Sequence, residues 1–162
     1  MYTNSRFDYR LEAEKLTKKD WVVLAMPIVL GLGSGFLVSR KKIPTSKYNP
    51  PGWVFMIVWP VLYALMGYSS FLIYKSKNVN REEYLKLFYI HLGALILWWP
   101  IFVYFPNKGA ALLSLIAIAV FAAYITVKFY SVDKTAAYCM LPYIGWLCVA
   151  TFLTYKSRAI NT

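Results

Sequence analysis

The chain has 162 residues, of which 59% are hydrophobic, 19% aromatic and 15% charged, where soluble domains average roughly 45–50% apolar and about 25% charged. That balance argues against a soluble domain and for an all-α membrane protein, a bundle of five transmembrane helices. The net charge of +11 does not point to nucleic acid, because Lys and Arg stand in short clusters between long apolar runs rather than on one face.

Residues 1–20 mix Arg6, Arg10, Lys15, Lys18 and Lys19 with Asp8, Glu12, Glu14 and Asp20. They read as a polar N-terminal tail, not as a signal or transit peptide. The transmembrane domain follows over 21–158, with 159–162 as a C-terminal tail. A membrane helix needs roughly 20 mostly apolar residues. The first candidate, Trp21 to Ser39, is uncharged and is stopped by Arg40, Lys41 and Lys42. A turn-rich loop ends at Asn49-Pro50-Pro51-Gly52, where a first-turn proline suits a helix start because it forfeits no intrahelical hydrogen bond. The second span runs from about Pro51 to Tyr74, and a polar linker carries Arg81, Glu82 and Glu83. The third span is Leu87 to Phe105, the fourth Ala110 to Phe129 and the fifth Thr135 to Tyr155. Pro106-Asn107-Lys108-Gly109 and Ser131-Val132-Asp133-Lys134 are tight turns that make spans 3, 4 and 5 antiparallel neighbours.

Five spans put the termini on opposite faces, side A for the N-terminus and side B for the C-terminus. Side A carries more Lys and Arg than side B, which favours side A in the cytoplasm. The spans contain no Asp or Glu. That weighs against a proton-coupled pump and against acid–base catalysis by carboxylates. No Cys/His/Asp cluster has metal-ligand spacing. Cys139 and Cys148 lie about 13.5 Å apart along one helix, too far for a disulfide between them. His91, near side A of the third span, has two readings: a haem ligand, or the commoner hydrogen bond to a neighbouring helix.

The tryptophans carry more. Trp21 and Trp53 lie at span ends, where an aromatic belt is expected. At 1.5 Å per residue, Trp59 lies about 12 Å below side B, Trp98 and Trp99 about 10 Å, and Trp146 about 13 Å. Tyr63 is one turn beyond Trp59; Tyr143 and Ala150 flank Trp146 by one turn each. These positions suggest an aromatic pocket opening toward side B, with the Arg40–Gly52 loop as its lid, suited to a planar or polycyclic apolar ligand. The alternative is that the rings fill gaps between helices or face lipid. Pro27, Pro60, Pro100 and Pro142 each free a carbonyl and permit a kink. Gly31 and Gly35 form a G-x-x-x-G face that serves packing within the monomer or a homodimer.

Pro50-Pro51-Gly52-Trp53-Val54-Phe55, Val58-Trp59 and Leu62-Tyr63-Ala64-Leu65-Met66-Gly67-Tyr68 resemble the TspO/MBR family, the tryptophan-rich sensory proteins of bacteria and the mitochondrial translocator protein, or peripheral-type benzodiazepine receptor. Trp99-Pro100, Thr135-Ala136-Ala137, Leu141-Pro142-Tyr143, Trp146 and Ala150 continue the resemblance through the third and fifth spans. It implies five packed helices, commonly a homodimer, and a pocket for porphyrin or haem-type tetrapyrroles, sterols and drug-like ligands beneath the loop joining helices 1 and 2. On this resemblance and the aromatic reading, the ligand-binding set is Tyr48, Trp53, Trp59, Tyr63, Trp99, Tyr143, Trp146 and Ala150. Leu153, Tyr155 and Arg158 fit the family's C-terminal sterol pattern. The chain departs from the family at Tyr48, Ile96, Ala110, Ser114 and Thr154, each change removing a polar or aromatic contact.

The reading is therefore a multi-pass integral membrane protein of a mitochondrial outer, other organelle or bacterial envelope membrane. It would bind a tetrapyrrole, sterol or similar polycyclic ligand for transport, sensing or stress-linked regulation. It needs no cofactor, a porphyrin or haem being bound as ligand, and it contacts membrane lipid but no nucleic acid. The alternatives are a light-dependent porphyrin-degrading enzyme and a membrane scaffold.

Overall fold

The computed structural model describes residues 16–38, 50–104 and 107–159. They form five helices, α1 (Lys18–Val38), α2 (Gly52–Lys75), α3 (Arg81–Tyr104), α4 (Lys108–Tyr130) and α5 (Lys134–Ala159). Among the described residues, four of them, α1, α2, α4 and α5, are long and apolar enough to cross a membrane. The expected order of five helices is present, and α3 is the one not among those four.

Polar contacts at the helix ends extend the helices past the apolar runs. The Thr17 N–H donates to Asp20 Oδ2 at 2.8 Å and the Asp20 N–H donates to Thr17 Oγ1 at 3.3 Å. This reciprocal capping box starts α1 three residues before Trp21. Arg81 opens α3 well before Leu87, with Glu82 and Glu83 in the first turn, where carboxylates oppose the positive helix end. Pro51 stands one position before α2, as its N-cap. Asn107 caps α4 by accepting from the Ala110 N–H at 3.1 Å, and Asp133 accepts from the Ala136 N–H at 3.0 Å at the start of α5.

The helices close into a ring in the order α1–α2–α5–α4–α3, with α2 and α3 also touching. Side-chain hydrogen bonds join ring neighbours and cross the ring. Ser69 Oγ donates to the Ala136 carbonyl at 2.7 Å (α2 to α5), and Trp98 Nε1 donates to the Ala111 carbonyl at 3.2 Å (α3 to α4). His91 Nε2 and Tyr143 Oη meet at 2.9 Å (α3 to α5). Polar bridges of this kind hold helices where lipid offers no hydrophobic drive to association. Around them Met66, Ile73, Phe88, Leu92, Phe129, Met140 and Leu147 are fully buried.

Two glycines set the α1–α2 distance. A Cβ on Gly67 would run into the Leu24 carbonyl oxygen, and one on Gly31 into the Tyr63 ring. Gly31 is thus used within the monomer, whereas a Cβ on Gly35 would meet nothing within 4 Å. The outside of the bundle is apolar on every helix: Val29 and Phe36, Met56 and Val61, Ile90 and Leu97, Leu113 and Val127, Leu141 and Phe152 are all exposed. So continuous an apolar surface is incompatible with water and fits a bilayer.

Candidate functional site

Phe55, Trp59 and Tyr63 recur every four residues along α2 and so share one face. The α5 helix runs antiparallel beside it, since Ser69 near the end of α2 bonds to Ala136 near the start of α5. That pairing brings Trp146 level with the first turns of α2. The Trp59 ring stacks on Tyr63, with centroids 5.3 Å apart and planes 25° apart. Trp146 meets Trp59 edge-on at 6.5 Å and Phe55 edge-on at 5.6 Å. Tyr63 is buried, while Phe55, Trp59 and Trp146 are half-buried, so the cluster grades from the core outward to side B. The Trp146 Nε1–H is buried and has no acceptor among the described residues. The arrangement offers flat apolar walls and one unspent donor. It brings together no acid–base pair, and among the described residues no group of three His, Cys, Asp or Glu could hold a metal ion.

The sequence-predicted residues divide. Trp59, Tyr63 and Trp146 come together as expected. Tyr143, one turn from Trp146, is fully buried and turned into the core against His91 rather than left open. His91 is itself 0% exposed, and its Nε2 meets Tyr143 Oη across the bundle, an interhelical hydrogen bond. Ala150 packs against the core beside Trp146. Trp53 is 59% exposed among the described residues and does not join the cluster. Tyr48, the side chain of Trp99 and most of the Arg40–Gly52 loop lie outside the described residues. Trp98 has the expected depth but points at α4, where its indole clasps Ala111. Phe55 was missed by sequence reasoning, although its spacing four residues before Trp59 was there to find.

Of the sterol-pattern residues, Tyr155 faces elsewhere. It lines an open groove of about 430 Å³ between α4 and α5, together with Leu112, Ile116, Val120, Cys148 and Phe152. Leu153 is half-buried, and the Arg158 side chain lies outside the described residues. At the departures from the family pattern, the hydroxyls bond their own helices: Ser114 to the Ala111 carbonyl at 2.9 Å and Thr154 to the Ala150 carbonyl at 2.8 Å. Neither presents a donor to a ligand. Ile96 packs against the core.

Residues 23–159 match the family model described as the TspO/MBR family. The chain is 37% identical over 111 residues to the translocator protein of Homo sapiens, covering 67% of this chain and 66% of that protein. It is 33% identical over 130 residues to the translocator protein of Sus scrofa, covering 78% and 75%. It is 27% identical over 114 residues to the tryptophan-rich sensory protein of Cereibacter sphaeroides, covering 70% and 71%. These relatives carry the names of translocator and sensory proteins, not of enzymes.

Proposed function

We propose a function from one established premise: the chain belongs to the TspO/MBR family and is a multi-pass integral membrane protein. It acts as a receptor or translocator-like protein that binds a porphyrin, haem-type tetrapyrrole or sterol against the aromatic cluster of α2 and α5. All five helices span the bilayer. Supporting α3 as the fifth span are its 24 residues, about 36 Å of helix, and the outward Ile90 and Leu97 at 62% and 63% exposure. Binding serves transport, sensing or stress-linked regulation rather than catalysis.

One observation carries this reading. Trp146 stands edge-on to both Trp59 and Phe55 with its indole N–H buried and unpaired among the described residues. An orphaned buried donor costs about 1–3 kcal/mol, and a ligand acceptor would relieve that cost. A macrocycle stacking on the half-buried faces of Trp59 and Phe55 would gain the offset and edge geometries that aromatic pairs favour. Carboxylate or carbonyl oxygens on its rim would meet the N–H.

The test is a Soret-band titration of the purified full chain with protoporphyrin IX in detergent. A saturable red shift is expected, weakened in Trp146→Phe and in Trp59→Leu and competed by a sterol. A linear, unsaturable response, or saturation identical in both variants, would sink the assignment. Illumination of the complex distinguishes binding from degradation: loss of the Soret band beyond a free-porphyrin control would make the protein an enzyme.

A further inference from the structure

At the opposite end of the bundle from the aromatic cluster, α1 and α2 leave an open groove of about 330 Å³ lined by Lys18, Lys19, Val22, Val23 and Tyr74. The two lysines open α1, the valines lie one turn deeper, and Tyr74 belongs to the last turn of α2. Asp20 sits between the lysines and the valines in sequence, but its carboxylate is turned away. It is 1% exposed, 3.0 Å from Lys75 Nζ, and it accepts from the Thr17 N–H. The groove therefore presents two lysines above an apolar floor, with the Asp20 carboxylate already taken.

This order of chemistry, cationic at the helix start and apolar one turn in, is that of the boundary between lipid headgroups and acyl chains. Lysine stems lie along apolar surface and keep their ammonium groups at the interface. A tyrosine ring with one wet end belongs at the same level. We infer that the groove seats one anionic phospholipid, its phosphate on Lys18 and Lys19 and an acyl chain along Val22, Val23 and Tyr74. A zwitterionic headgroup would bring its own cation against the lysines. Free phosphate would leave the apolar floor unused. A net-negative lipid matches both parts, each lysine near an anionic headgroup contributing a favourable attraction that salt weakens.

The experiment uses the full chain reconstituted in phosphatidylcholine vesicles doped with spin-labelled phosphatidylglycerol or spin-labelled phosphatidylcholine. Electron spin resonance reads the relative association of each with the protein. Preferential association of phosphatidylglycerol is expected. The double variant Lys18→Gln/Lys19→Gln should lower it at least about fivefold at low salt. Val23→Trp, which keeps both charges and fills the groove, should lower it as well. Lys134→Gln, a lysine on the same face of the membrane but outside the groove, should leave it unchanged, as should millimolar inorganic phosphate. Equal association of the two lipids with the wild-type chain would overturn the site. So would an equal loss in Lys134→Gln, full selectivity in Val23→Trp, or displacement by inorganic phosphate. The Val23→Trp arm decides the matter if the double variant fails to fold.

Discussion

The ring of Tyr63 occupies the space that a Cβ on Gly31 would need. α1 thereby holds in place the ring on which Trp59 stacks at 5.3 Å, and a glycine with no role in ligand contact sets the back wall of the aromatic cluster. Gly31→Ala must push the ring aside. Overpacking of this kind costs about 1–3 kcal/mol. We expect a lower melting temperature in detergent and weaker protoporphyrin binding. Gly33→Ala, whose Cβ would meet nothing within 4 Å, should change neither. Unaltered protoporphyrin binding in Gly31→Ala would show that the Tyr63 position does not matter to the cluster.

Asp20 and Lys75 join the start of α1 to the end of α2 at 3.0 Å, and the same carboxylate caps α1 through Thr17. The two roles separate by substitution. Asp20→Asn loses the ion pair but keeps an acceptor for the Thr17 N–H, while Asp20→Ala loses both. The expected order of melting temperatures is wild type, then Asn, then Ala. Lys75→Gln leaves the carboxylate buried without its cation, so adding it to Asp20→Asn should cost less than the two single losses combined. Additive losses would mean that the pair contributes nothing.

Much of this fold was legible because charge clusters and turn residues interrupt the apolar runs. Ser131-Val132-Asp133-Lys134 separates α4 from α5 by chemistry that a hydropathy pattern registers. The starts of α1 and α3 were not, because Thr17, Asp20, Glu82 and Glu83 extend a helix through caps and dipole interactions that add no hydrophobicity. The site follows the same division. Helical rise fixes depth, so the meeting of Trp59 with Trp146 could be anticipated from residue counts. Which way a side chain turns about its helix depends on neighbours. Trp98 shares the depth but bonds to Ala111, and Tyr143 shares a face with Trp146 but turns to His91. The ring order of the helices, which decides both, has no signature in any one span.

The bond between His91 and Tyr143 crosses the ring from α3 to α5, with both side chains fully buried. Tyr143→Phe removes the oxygen and strands the imidazole, whose Nδ1 already has no partner among the described residues. Interhelical hydrogen bonds in membranes average about 0.6 kcal/mol and reach about 1.7. The upper part of that range is expected, read as a drop in thermal stability in detergent. The double variant His91→Phe/Tyr143→Phe should recover part of the loss, because it removes both polar groups of the pair. A double variant no better than Tyr143→Phe would place the cost in packing instead.

Phe55 supplies the sharpest separation of binding from stability. It lies in the first turn of α2, half-buried, with its ring edge-on to Trp146 at 5.6 Å, and it sits outside the buried core. Trp59, by contrast, packs against that core and stacks on Tyr63. Truncating Phe55 should therefore leave the bundle nearly as stable while opening one wall of the cluster. An aromatic pair is worth about 0.5–1.5 kcal/mol beyond its buried area. Phe55→Ala should thus weaken protoporphyrin IX binding roughly two- to tenfold in the Soret titration. Phe55→Leu, which keeps apolar bulk but no ring, should fall between wild type and Ala if stacking is what the ligand uses. If Leu restores full affinity, the wall acts by volume alone. Unchanged affinity in both variants, with unchanged melting temperature, would mean that the ligand does not touch the α2 side of Trp146.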